Sequence, residues 1–112
     1  MDPPAETAIG SIELQFDDDP PRAWRVAVAR ITTGALGDPA LYFELVESEK
    51  ADLEAWTRKN LHRRITMHIG SEVIAYATLA GPLPGHAVVE PGGEVWSEDY
   101  VRLLVAQIAG RP

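Results

Sequence analysis

The stretch from Leu41 to Leu79, LYFELVESEKADLEAWTRKNLHRRITMHIGSEVIAYATL, reads in turn as strand, helix and hairpin. Leu41, Phe43 and Leu45 fall on alternate positions, the period of a strand with one buried face, so a strand is expected from Leu41 to Val46. Ser48 then offers an N-cap, with Glu49 and Asp52 in the first turn, where carboxylates suit the helix dipole. The helix is expected to run to about Leu61. Leu53, Trp56, Asn60 and Leu61 lie on one side of it, a narrow stripe to bury. Ile65, Met67 and Ile69 return to alternation with Thr66 and His68. Gly70-Ser71 suits a two-residue type II′ turn, which wants glycine first. Val73 to Leu79, rich in small residues, is the returning strand.

Upstream, Ile12, Leu14 and Phe16 alternate with Glu13 and Gln15, and Asp17-Asp18-Asp19-Pro20-Pro21 breaks the run. Trp24, Val26 and Val28 form a second alternating strand, which is expected to fade into a loop over Thr32 to Pro39. Residues 1–8 read as a polar, Pro-rich lead-in. Downstream, Gly81-Pro82-Leu83-Pro84-Gly85 is a stiff loop, Ala87 to Glu90 a short strand and Pro91-Gly92-Gly93 a turn. Ser97 caps a last helix whose Tyr100, Val101, Leu104, Val105 and Ile108 make a helical stripe, stopped by Gly110 and Pro112. The expected fold class is α+β. The order is β-β-β-α-β-β-β-α, with two helices packed on one face of a mainly antiparallel sheet.

The 112 residues suit a single domain with one core, residues 1–112. The absence of cysteine removes disulfides, thiolate nucleophiles and cysteine-held zinc from consideration. No apolar run approaches the roughly 20 residues of a membrane helix, and Met1-Asp2-Pro3-Pro4 does not look like a secretory leader. A formal net charge of -7 repels phosphate backbones, so nucleic acid is not an expected partner. The basic run Arg58 to Arg64 could be a patch for an acidic partner. As the end of a helix, it more simply offsets the dipole and covers the core with aliphatic stems.

No catalytic constellation emerges. His62, His68 and His86 share no metal-ligand spacing. Ser11, Ser48, Ser71 and Ser97 each fit a strand start, cap or turn, and none lies in a G-x-S-x-G elbow. The Gly34 to Gly37 loop matches no phosphate-binding fingerprint. Asp17, Asp18 and Asp19 lack the alternate spacing and distal glutamate of a calcium loop, so they read as a solvated turn. No catalytic, metal or cofactor residue is therefore assigned. Leu83 stands out as an apolar side chain held between prolines on a loop. It serves either as a contact for an extended peptide or as a plug folded onto the core.

From about Leu41 to Gly110 the chain resembles the head subdomain of the first periplasmic domain of SecD, the export-motor subunit that works with SecF. The residues carrying the resemblance begin with Thr57-Arg58-Lys59-Asn60 at the end of the helix. Arg63-Arg64-Ile65 and the hairpin with Val73-Ile74-Ala75 follow. Next comes Pro82-Leu83-Pro84-Gly85 before Ala87-Val88-Val89, and then the Ser97-led helix closing at Gly110. The chain departs from the family at the hairpin, with Gly70-Ser71 in place of Asp-Gly. It departs again after Ile74, with Ala75-Tyr76-Ala77 in place of Ser-Ala-Pro.

The resemblance implies a non-catalytic, cofactor-free domain that binds a protein or extended peptide, contacting exported or unfolded polypeptide. It also implies a periplasmic or cell-envelope location where a leader has been removed, and otherwise a cytoplasmic one. Tyr76, Pro82, Leu83, Pro84, Trp96, Arg63 and Arg64 are the expected partner contacts, with Tyr76 and Trp96 on an exposed face. The alternative is a stand-alone acidic interaction protein, an inhibitor or regulator of one partner, that reuses the fold.

Overall fold

The computed structural model describes residues 7–91 and 94–110. The first six residues of the expected lead-in, Gly92-Gly93 of the expected turn and the expected helix stop at Pro112 lie outside them. The chain runs β1 Gly10–Phe16, β2 Arg22–Thr33, β3 Pro39–Leu45, α1 Glu47–Arg58, β4 Arg64–Ile69, β5 Glu72–Thr78, β6 His86–Val89 and α2 Glu98–Ile108. This is the expected order. The strands form one antiparallel sheet, β5-β4-β1-β2-β3-β6, curled into a half-barrel.

Alternation in the strands gives the sheet its buried face. Ile12 opposes Trp24, Leu14 opposes Met67, Phe16 opposes Ile65 and Val26 opposes Leu45. Leu53 of α1 and Val101, Leu104 and Ile108 of α2 join Ile12, Leu14, Trp24, Val26, Leu45 and Met67 in one hydrophobic cluster, so both helices pack on the same face. Burying side chains of this size is worth about 1.5–3 kcal/mol each relative to exposure, which is what drives the sheet to curl around them.

One expected core residue is on the wrong side. A bulge between Val26 and Val28 shifts the phase of β2 by one residue. Val28, expected beside Trp24 and Val26, is 38% exposed, while Ala29 and Ile31 turn inward opposite Phe43 and Leu41. An extra residue in one strand flips every side chain beyond it, and simple alternation does not reveal it. The strand also continues through Thr32 and Thr33, where a loop was expected.

Helix α1 begins one residue before Ser48. Val46 occupies the N-cap position without a side-chain cap, so Ser48 does not cap it. Glu49 instead accepts the backbone N–H of Arg25 at 2.9 Å and pairs with its guanidinium, tying the helix start to β2. The helix ends at Arg58, so Asn60 and Leu61 lie in the following turn, and its buried residues are Leu53 and Thr57. Trp56 is half-buried, its ring 4.6 Å from Phe16 and 5.5 Å from Trp24.

The cap of α2 is as expected. Ser97 Oγ accepts the N–H of Tyr100 at 3.0 Å. Ser97→Ala is expected to lower unfolding free energy by about 1 kcal/mol, measured by urea denaturation. The two-residue turn is also as expected: Ile69 pairs with Glu72 around Gly70-Ser71, and Gly70 has φ +62°.

Candidate functional site: an apolar groove between the sheet edges

The half-barrel does not close. Its two edge strands, β5 and β6, border an apolar groove of about 140 Å3 on the concave face. Leu14, Phe43 and Met67 line it from the interior of the sheet, Ala75 and Ala77 from β5, and Ala87 and Val89 from β6. Alanine at these rim positions leaves space that a larger side chain would fill. Among the residues lining the groove there is no carboxylate, imidazole, amine or guanidinium, and Tyr76 is the one residue with a polar side chain.

The loop that joins the two edges forms one wall, and it is pinned along its length. At its start, the N–H of Leu79 donates to the carbonyl of Arg63 at 2.9 Å, and the Leu79 carbonyl accepts from His62 at 2.7 Å. At its middle, the N–H of Leu83 donates to Thr57 Oγ1 at 2.9 Å. Thr57 is fully buried on α1, and its hydroxyl reaches the carbonyl of Leu53 at 2.9 Å. At its end, the carbonyl of Gly85 accepts from Leu45 at 2.9 Å. Gly85 has φ +104°, and a Cβ there would lie 2.4 Å from Lys50 Cγ, so both its conformation and its surroundings call for glycine.

A polar network backs this wall. Lys50 Nζ bridges Glu44 at 3.1 Å and Glu47 at 2.9 Å, and the Tyr42 hydroxyl donates to Glu44 at 3.0 Å. The bonds from Lys50 and then Tyr42 hold the Glu44 carboxyl below its ordinary range. The bond to Glu44 pushes the Tyr42 hydroxyl up, and the bonds to Glu47 and Glu44 push Lys50 up. A depressed carboxyl stabilises the fold above its unfolded pKa, and that contribution is lost as pH falls through the folded value. Lys50 and Glu44 are only half-buried and Glu47 is exposed, so solvent screens the network and it orients β3 against α1 more than it adds stability.

The expected contact residues divide. Tyr76 stands on the β5 rim, 61% exposed, with the Arg64 guanidinium 3.9 Å above its ring. Pro82 and Pro84 are exposed on the loop, and Leu83 between them is half-buried. Leu83 both packs on the core cluster and lines the groove, so plug and contact describe the same side chain. Arg63 is engaged elsewhere, pairing with Asp17 and Asp19 at 2.9 Å each.

Trp96 is a correction. It was expected on an exposed face with Tyr76, but it is 4% exposed, and its ring lies 5.7 Å from Tyr100 within the core. A tryptophan just ahead of an amphipathic helix buries its ring with the helix stripe, which removes far more apolar surface from water than a rim position would. The residues missed were Leu14, Phe43, Met67 and Ala87. Each reads as ordinary core or strand, and the one signal was alanine recurring at inward positions of the strands that became edges.

Among the described residues no group of three or more His, Asp or Glu side chains could hold a metal ion, and no helix is long and apolar enough to cross a membrane. No family model and no curated protein matches the chain. Two solved structures do. SecDF, described as a membrane component that enhances protein export, aligns with 77% of this chain at 18% identity and a TM-score of 0.64, over 38% of its own chain. SecDF in a super-membrane-facing form aligns with 73% of this chain at 22% identity and a TM-score of 0.58, over 11% of its own. The chain therefore spans well under half of either structure. At these identities the likeness is one of fold, and it is the fold that the resemblance to a SecD head implied.

Proposed function

We propose that this chain is a non-catalytic binding domain whose groove between β5 and β6 takes unfolded or extended polypeptide, and that it serves protein export at the cell envelope. The observation that carries the reading is an open apolar groove with no ionisable lining group other than Tyr76, set in a fold shared with SecDF. Such a lining favours apolar side chains and penalises any unpaired charge brought into it. Catalysis would need converging polar groups, and this surface does not supply them. In this reading residues 1–112 act as a single domain that uses no cofactor, and Tyr76, Pro82, Leu83 and Pro84 form the contact rim with Arg64 beside it.

Titration of the chain with a reduced, alkylated unfolded protein tests this. Ala87→Phe, which fills the groove from β6, is expected to weaken binding by about tenfold or more, equivalent to about 1.4 kcal/mol. Leu36→Ser is expected to leave affinity unchanged, because Leu36 is 90% exposed on the β2–β3 loop and does not line the groove. Equal affinity for Ala87→Phe and the parent, both shown folded by circular dichroism, would refute the groove as the site.

The net charge of -7 favours one other reading, an acidic interaction protein that docks on a basic partner. That mode shows a steep loss of association rate with salt, whereas apolar capture does not.

A further inference from the structure

We infer that the free edge of β5 receives an extended polypeptide as an added strand, with alternate apolar side chains entering the groove and lysine or arginine at the flank beside Glu72. This deepens the binding proposal above and rests on it.

The backbone supplies the first part of the argument. Strand β5 is seven residues long and pairs on one side with β4; among the described residues no strand covers its other side. An open edge is a row of unpaired N–H and C=O groups, and proteins ordinarily blunt such rows with charges, proline or bulges. Here Val73-Ile74-Ala75-Tyr76-Ala77-Thr78 contains neither charge nor proline, and the one bulge, at Ile74, lies near its start and leaves Ala75 to Thr78 in regular register with β4. Val73 and Tyr76 are 58% and 61% exposed. A β-prone, uncharged edge of this length invites pairing. The other edge, β6, has four residues and offers a shorter ladder.

Side chains supply the second part. In a strand laid along β5, every second residue points to the concave face, spaced about 6.6 Å apart. Ala75 and Ala77 are small there, so the groove beside them is open to guest side chains. Valine, leucine or isoleucine at alternate positions fits an apolar lining, whereas a charged residue would lose its hydration without a partner. Backbone pairing then gives affinity, and the alternate side chains give selectivity.

Charge sets the flanks. The groove lining is uncharged, Glu72 is exposed at the start of β5, and the whole chain carries -7. Arg64, opposite Thr78, makes the far end of β5 cationic, so it is beside Glu72 that cationic residues of the guest are drawn in and acidic ones repelled.

The test uses the 112-residue chain and a synthetic ten-residue peptide alternating valine and threonine, with two lysines at each end. Two further versions carry N-methyl groups on alternate backbone amides, one set for each phase, and a fourth replaces lysine by glutamate. Removing hydrogen bonds to β5 in one phase is expected to weaken binding by roughly ten- to a hundredfold, with the other phase changing it little. The glutamate version is expected to bind more weakly at low salt, and the β5 amides are expected to gain protection from hydrogen exchange.

If both N-methylated peptides bind as well as the parent, strand addition is wrong, though the groove still captures polypeptide. If neither peptide nor unfolded protein binds, both readings fall. If the chain instead pairs with itself along β5, seen as a concentration-dependent dimer that peptide does not dissociate, the occupant is a second copy and the inference is overturned.

Discussion

Gly10→Ala is expected to lower unfolding free energy by about 3 kcal/mol, the upper end of what overpacking usually costs. A Cβ on Gly10 would lie 1.5 Å from the carbonyl oxygen of Ile108 and 2.6 Å from its carbonyl carbon. Both are backbone atoms, so no rotamer change relieves the clash. Either α2 lifts from β1 or β1 moves away from β2, with which Gly10 pairs opposite Val26. Lifting α2 also loosens Val101, Leu104 and Ile108, which are buried against the sheet. A loss of this size lowers Tm by roughly 10–20 °C in a domain of about this length. Gly81→Ala is the matched control, since nothing lies within 4 Å of its added Cβ and its φ is not positive. Thermal unfolding of the two variants decides the matter: equal melting temperatures would mean that α2 does not press on β1 as described.

Thr57→Val is expected to cost about 1–3 kcal/mol although the side chains have the same shape. The hydroxyl it removes accepts the N–H of Leu83 and reaches the carbonyl of Leu53, in a position with no access to water. Valine leaves the Leu83 amide without that acceptor, and the loop between Leu79 and Gly85 loses its central tie. Hydrogen exchange at Leu83 should therefore accelerate beyond what global destabilisation explains, and binding at the groove should weaken with it. Thr57→Ser keeps the hydroxyl and is expected to preserve most of the protection. Unchanged exchange at Leu83 in Thr57→Val would show that the bond does not hold the wall.

The same residue gives a physical account of one motif behind the resemblance to a SecD head. In Thr57-Arg58-Lys59-Asn60, the threonine holds the loop at Leu83. Asn60 donates to the carbonyl of Trp56 at 2.8 Å and accepts from Arg63 at 2.6 Å, closing the turn into β4. The motif and the Pro82-Leu83-Pro84-Gly85 segment are thus two halves of one contact. They lie 26 residues apart at Thr57 and Leu83, and the connection is invisible until the chain folds.

What the linear order of residues determined was local. Periods of two and of about three and a half, the cap at Ser97 and the Gly70-Ser71 turn each depend on neighbours within a few positions, so the order of elements could be read directly. The bulge after Val26, the start of α1 at Glu47 and the burial of Trp96 could not. The bulge and the start of α1 turn on partners far along the chain, as Glu49 on Arg25 shows, and Trp96 is buried by the core that its helix joins. The groove is the furthest removed from sequence. Ala75, Ala77 and Ala87 are unremarkable in their own strands, and they become a binding surface only because the curled sheet brings its two edges to face one another without closing. Curvature comes from packing the whole core at once, and no single segment encodes it.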